Sequence, residues 1–207
     1  MHRFFRIFYY MINKRFDIVL KIFLLDFFDL VSFLVFVTWM VLFIRFFLFN
    51  PYSVVGASME PTFHQGDFII VDKITPKFET FKRWDIIVFV PKWKNVPYIK
   101  RIIGLPWETV KIQDNQILIC NNKGELCEKL PESYIPDDYY TQAKCWKNNF
   151  VMSSSGYFAM WDHRGHSTDS SCCFGAICNS WSNYQVYPND IIGKVAIRIF
   201  PNFSSHW

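Results

Sequence analysis

The chain has 207 residues, enough for one ordinary domain plus a membrane segment, and its 51% hydrophobic and 20% aromatic content exceeds what a soluble domain of that size needs. The net charge is +4, and six basic against three acidic residues up to Arg45 account for three of those charges. What remains is about +1 over the rest of the chain, too little for a nucleic-acid footprint, so no nucleic-acid partner is expected.

Residues 1–29 are basic and aromatic, with apolar pieces at 4–12 and 16–25 interrupted by Lys14, Arg15, Lys21 and Asp26. Each piece is too short to span, so this part is expected to be cytoplasmic or to lie at a membrane interface. Residues 30–49 are apolar except for Ser32, Thr38 and Arg45. Roughly 20 such residues cross a hydrocarbon core as a helix, so a transmembrane helix is expected there. Arg45 lies near its end, where a long side chain reaches the headgroups. The basic residues mostly precede the span, which puts the N-terminus inside and 51–207 outside. A competing reading takes Val55-Gly56-Ala57 as a signal-peptide cleavage signature releasing a protein that begins at Ser58. The apolar run exceeds the roughly 7–15 residues of an ordinary signal core, which favours an anchor.

Beyond the span the pattern is one of short β-branched or aromatic runs at 68–71, 86–90, 99–103, 109–112, 116–120, 157–160 and 191–200, separated by Gly, Pro, Asp or Asn. The fold class expected is mainly β, an antiparallel and barrel-like or coiled set of sheets. Asp114-Asn115 reads as a hairpin turn. Residues 121–156 are charged, contain Pro and Cys, and read as an excursion inserted into the sheet. Cys120 and Cys127 flank a turn-like segment, so an oxidising compartment would allow a bridge between them. Cys145, Cys172, Cys173 and Cys178 have no metal-ligand spacing and read as free or structurally paired thiols.

The chemistry-bearing residues lie between these runs. Ser58-Met59-Glu60-Pro61-Thr62 follows the span directly; Pro61 keeps Glu60 extended, and Gly56 lets backbone approach a ligand closely. A serine hydroxyl needs a neighbour to take its proton. Lys100 lies within Tyr98-Ile-Lys-Arg-Ile-Ile-Gly-Leu-Pro106, with Tyr98, Ile99, Ile102 and Ile103 as apolar company and Arg101 sent to the opposite face by strand alternation. To act as a base at neutral pH its pKa must fall by about three units, roughly 4–5 kcal/mol, which burial supplies. Lys73 and Lys77 stand among polar residues and read as solvated. No Gly-rich phosphate loop or metal-ligand motif occurs, so no cofactor and no metal are expected.

Taken in order, the span, the serine motif, Gly66-Asp67, Trp84-Asp85, Lys100-Arg101, and Asp162-His-Arg164 leading to Ser167-Thr-Asp169-Ser170 resemble the bacterial type I signal peptidases. These are membrane-anchored serine endopeptidases that cut signal peptides from exported preproteins. The resemblance implies Ser58 as nucleophile, Lys100 as general base, an oxyanion hole from the Ser58 N–H with Gly56 contributing backbone only, and Ser167 as the residue that orients the lysine. Asp162, Arg164 and Asp169 would support the loop, and Val54, Met59, Phe63 and Ile99 would line shallow pockets for small side chains, giving an Ala-x-Ala preference. Signal peptides of preproteins and membrane lipid are the implied partners, and the bacterial inner membrane the implied location.

Three positions depart from the family pattern: Trp161 and His163 in the usual Gly-Asp-Asn-Arg opening, and Ser171 where an Arg is usual. They leave Asp169 without its customary partner, with Arg164 a candidate to compensate. A catalytic role for His163 or His166 is the less favoured alternative, polar loop contacts the preferred one. The exposed aromatics Trp84, Trp93 and Trp107 are candidates to dip into headgroups. A related peptidase of pilin or conjugative precursors, a self-cleaving Ser-Lys regulator, and a non-enzymatic anchored binding domain remain as other classes.

Overall fold

The computed structural model describes residues 2–45, 49–136, 138–142, 145, 147–164, 169–175, 184–201 and 204–205, with side chains described from residue 20 on except at 49 and 205. Contact density divides the chain into two units, Met1–Phe46 and Phe47–Trp207.

The first unit is one helix, α1 (His2–Phe43). It runs through residues 2–43 without interruption, because no Gly or Pro appears ahead of Pro51 and Lys, Arg and Asp cost a helix interior only tenths of a kcal/mol each. Every described side chain from 20 to 45 is exposed on this chain, among them Phe23, Leu25, Phe28, Phe33, Val35 and Trp39 at half or more of their area. Among the described residues, no helix is long and apolar enough to cross a membrane.

The helix also stops earlier than the sequence suggests. Residue 49 already belongs to strand β1 (Phe49–Ser53), which pairs antiparallel with β2 (Phe68–Asp72). Pro51 obscures this strand in the sequence, yet an edge position tolerates it, since one side of an edge strand needs no ladder donor.

The second unit is two antiparallel sheets. In the larger, the order is β1, β2, β10 (Ile191–Phe200), β3 (Ile86–Phe89), β4 (Tyr98–Gly104) and β9 (Phe158–Met160), with β11 (Ser204–Ser205) on β10. In the smaller, the order is β7 (Cys127–Lys129), β6 (Gln116–Cys120), β5 (Thr109–Gln113) and β8 (Asn149–Val151). A mainly β, antiparallel fold is thus what forms. The β5–β6 hairpin turns at Asp114 and Asn115, both with positive φ (52° and 59°), as the two-residue turn demands. Residues 121–156 are not wholly an excursion, because β7 and β8 lie within them and complete the smaller sheet. At three residues each, they are too short to carry a visible alternation.

Strand β3 is buried on both faces, which explains its unbroken Ile-Ile-Val-Phe run. Ile86 and Val88 join Val54, Met59, Phe63, Ile69, Val71 and Val195 in one cluster. Ile87 and Phe89 join Ile102, Ala159 and Phe174 in another. A third, around Phe150, Phe158 and Ile117, lies between the smaller sheet and β9. Disulfides join Cys120 to Cys127, at paired positions of β6 and β7, and Cys145 to Cys172. Cys173 is disulfide-bonded as well.

Candidate active site

Ser58 sits in a closed loop between β1 and β2. Val54 N–H donates to Asp67 O (2.8 Å) and Gly66 N–H to Val54 O (2.9 Å), so the loop leaves the sheet and returns at one place. Inside it, Phe63 N–H donates to Met59 O (2.8 Å), and Val54, Met59 and Phe63 are buried in the core cluster. These side chains fix the turn from below while Ser58 stays partly exposed. Gly56 has φ +89° with open space where a Cβ would be, so it is the backbone conformation that asks for glycine there.

Lys100 points into the protein from β4, opposite Ile87 of β3, and is 1% exposed. Arg101 is paired with Met160 of β9, so the next step of that antiparallel register brings Trp161, just past the strand end, beside Lys100. The Lys100 Nζ lies 3.9 Å from the Trp161 ring centre and 4.8 Å from that of Tyr98, and it donates to Ile99 O (2.8 Å). Two aromatic faces, more than isoleucines, enclose the amine. Burial drives its pKa well below the usual lysine value, against the opposing pull of Asp169 and Asp162, with Lys94 assisting the fall.

Arg101 leaves the strand on the other side, as alternation requires. Its guanidinium donates to both oxygens of Asp162 (2.9 and 2.6 Å), to Thr62 Oγ1 (3.1 Å) and to Trp84 O (3.2 Å), and lies 4.1 Å over the Tyr134 ring. Thr62 Oγ1 donates in turn to Asp162 Oδ2 (2.6 Å). Next along the chain, His163 N–H donates to Ser58 O (3.1 Å), its Nδ1 lies 3.2 Å from Ala57 O, and Tyr139 stacks on its ring at 4.8 Å. The segment 161–163 therefore touches Lys100 with one residue, the serine turn with another, and clamps Thr62 to Arg101 with the residue between. Among the described residues Ser58 Oγ makes no hydrogen bond, and that of Lys100 Nζ goes to Ile99 O.

The remaining expected positions divide. Arg164 does not compensate at Asp169; it binds Glu132, Tyr134 Oη (2.7 Å) and Met160 Sδ (3.0 Å). Asp169 instead accepts from the N–H (2.9 Å) and Oγ (2.6 Å) of Ser171, so the serine that replaces the usual arginine is itself the partner. Ser167 and His166 lie outside the described residues. Val54, Met59 and Phe63 are packed into the core, with Ile99 half-buried against them. Of the tryptophans, Trp107 and Trp93 are exposed, whereas Trp84 is half-buried with its ring edge-on to Tyr134.

Trp161, Thr62, Tyr134 and Tyr139 carry contacts that the sequence did not single out. Only Thr62 and Trp161 had a signal, one as the last residue of the serine motif and the other as a bulky departure at a glycine position.

With this geometry in hand, the chain matches the family described as signal peptidase, peptidase S26, over residues 27–200. The chain belongs to that family. It is 35% identical over 157 residues to signal peptidase I of Bacillus licheniformis, covering 72% of this chain and 81% of the relative. It is 33% identical over 147 residues to signal peptidase I T of Bacillus subtilis strain 168, covering 66% and 70%. A solved signal peptidase I of Enterococcus faecalis V583 aligns at a TM-score of 0.40 and 23% identity, over 56% of this chain and 97% of that one. Membership makes the protein a serine peptidase, a hydrolase.

Proposed function

We propose that this peptidase removes signal peptides from exported preproteins with Ser58 as nucleophile and Lys100 as general base. The observation that carries the reading is a lysine amine withdrawn from water on a strand, its pKa lowered by burial, with one short segment bearing on both it and the serine turn. Burial lowers the lysine's pKa in the direction a general base needs, and such perturbed groups cluster at functional sites.

In the reaction, neutral Lys100 takes the Ser58 Oγ proton as Oγ bonds to the scissile carbonyl carbon. Backbone N–H groups of the serine turn receive the developing oxyanion, Gly56 contributing backbone alone; losing one such donor costs about 3–4 kcal/mol. The C–N bond then breaks, the lysine ammonium returns its proton to the leaving amine, and an acyl-serine ester remains. A water attacks the ester, giving its proton to Lys100, and Ser58 leaves protonated. The hydrogen bond donated by the Ser58 Oγ–H to Lys100 Nζ closes when substrate docks, as is common for catalytic contacts that are long in the free enzyme. Ser167 is assigned the aiming of the amine. Small side chains before the cut, as in Ala-x-Ala, are the proposed preference, met by half-buried Ile99, while Val54, Met59 and Phe63 back it from the core.

We further infer that α1 anchors the enzyme in the bacterial plasma membrane with its N-terminus cytoplasmic and the peptidase unit outside. Exposed apolar side chains along residues 20–44 and charge-free residues 30–44 support the anchor. The Cys120–Cys127 and Cys145–Cys172 bridges support an oxidising compartment for the peptidase unit.

The test is cleavage of a purified preprotein carrying an Ala-x-Ala site, with N-terminal sequencing of the product. Ser58→Ala and Lys100→Ala are each expected to abolish cleavage while the circular dichroism of the protein is unchanged. Retained activity in either variant refutes the dyad.

A further inference from the structure

Trp161 stands where the register of β4 and β9 runs out. The last ladder pair is Arg101 with Met160, and the residue after it lays its indole over Lys100 Nζ at 3.9 Å from the ring centre, a contact distance for a cation on an aromatic face. The indole N–H is buried and has no hydrogen-bond partner among the described residues. The ring is therefore not held there by its own polar group. Its polar contact is the one between its π face and the amine.

We propose that Trp161 is a positioning residue for Lys100, its indole face holding the amine at the end of the β4–β9 ladder and so setting the pH range over which the peptidase works. This rests on the reading of Lys100 as the base. The ring does two opposed things. Its bulk excludes water, which favours the neutral amine, and its π face attracts the ammonium, which favours the protonated one. Tyr98 presents a second face, 4.8 Å from the amine. The charged groups acting on the amine are Asp169 and Asp162, which favour the ammonium, and Lys94, which disfavours it. None of these changes when Trp161 alone is replaced, so the two contributions of the ring can be separated by the choice of replacement.

The experiment is the pH dependence of kcat/KM for preprotein cleavage by the full chain in detergent, whose acid limb reports the base in the free enzyme. Trp161→Leu keeps apolar bulk and removes the π face, so the limb is expected to move down by about one pH unit. Trp161→Phe keeps a weaker face and is expected to move it part of the way. Trp161→Gly admits water and is expected to move it up, toward an ordinary lysine. An acid limb that stays in place or rises in Trp161→Leu overturns the proposal, because a merely packing role lowers activity without that downward shift. The Leu and Phe variants preserve bulk, so the test survives a Gly variant that does not fold. Lys100→Ala is the control. If it cleaves like the parent, the dyad itself fails; if it is inactive and the Trp161→Leu limb is unmoved, only the role of Trp161 fails.

Discussion

Arg101 and Asp162 form a two-point ion pair, 2.9 and 2.6 Å, with the carboxylate fully buried and the guanidinium nearly so. It fastens β4 to the segment after β9, and through Thr62 it takes hold of the serine turn as well. Burial works against the arginine's charge, and Asp162 outweighs it, leaving the arginine pKa raised.

Removing one member leaves the other charged and unpaired inside the protein. Arg101→Met is expected to lower stability by about 3–5 kcal/mol, read as a fall in the urea midpoint. The double variant Arg101→Met with Asp162→Leu is expected to recover much of that loss, since no lone charge remains. A single variant as stable as the parent would mean that the pair does not hold the loop.

Lys100 has a stability signature independent of turnover. Its pKa is depressed in the folded state, burial being the main cause, so the unfolded chain holds a proton that the folded chain has given up. Stability therefore rises with pH from the lowered value up to the ordinary value of 10.5, by at most about 1.4 kcal/mol per pH unit for this one group. Lys100→Met is expected to remove that slope. Parallel curves for parent and variant across this window would show the amine to be hydrated.

His163 contacts the serine turn through its backbone N–H and its ring. His163→Ala keeps the first and loses the second together with the Tyr139 stack. The expected fall in kcat/KM is no more than about tenfold, on the scale of about one ordinary hydrogen bond. A loss as deep as that of Lys100→Ala would make the histidine the base.

The two described bridges differ in the chain length they close. With separations of 27 and 7 residues, loop entropy gives about 3.5 kcal/mol for Cys145–Cys172 and about 2.4 kcal/mol for Cys120–Cys127. Replacing each pair by serine and comparing thermal midpoints is expected to follow that order. The reverse order would place the main effect in the folded state.

Much of this architecture is legible in the sequence, because strand alternation and turn chemistry are local. The runs at 68–71, 86–90 and 116–120 and the Asp114-Asn115 turn depend only on near neighbours, and they form close to where expected. Strands β1, β7 and β8 were not legible. The first carries a proline that only an edge position excuses, and the others are three residues long, with pairing supplied by β5 and β6.

The serine and lysine could be singled out one by one, since motif and apolar company are written along the chain, and alternation alone separates Lys100 from Arg101. What encloses that lysine was not so written. The Trp161 ring, the Asp162 clamp and the Ser171–Asp169 contact join residues 60 or more positions from the serine and lysine they support, or replace an expected partner with an unexpected one. Register between β4 and β9 decides the first two, and register is a property of paired strands, settled only when the sheet assembles.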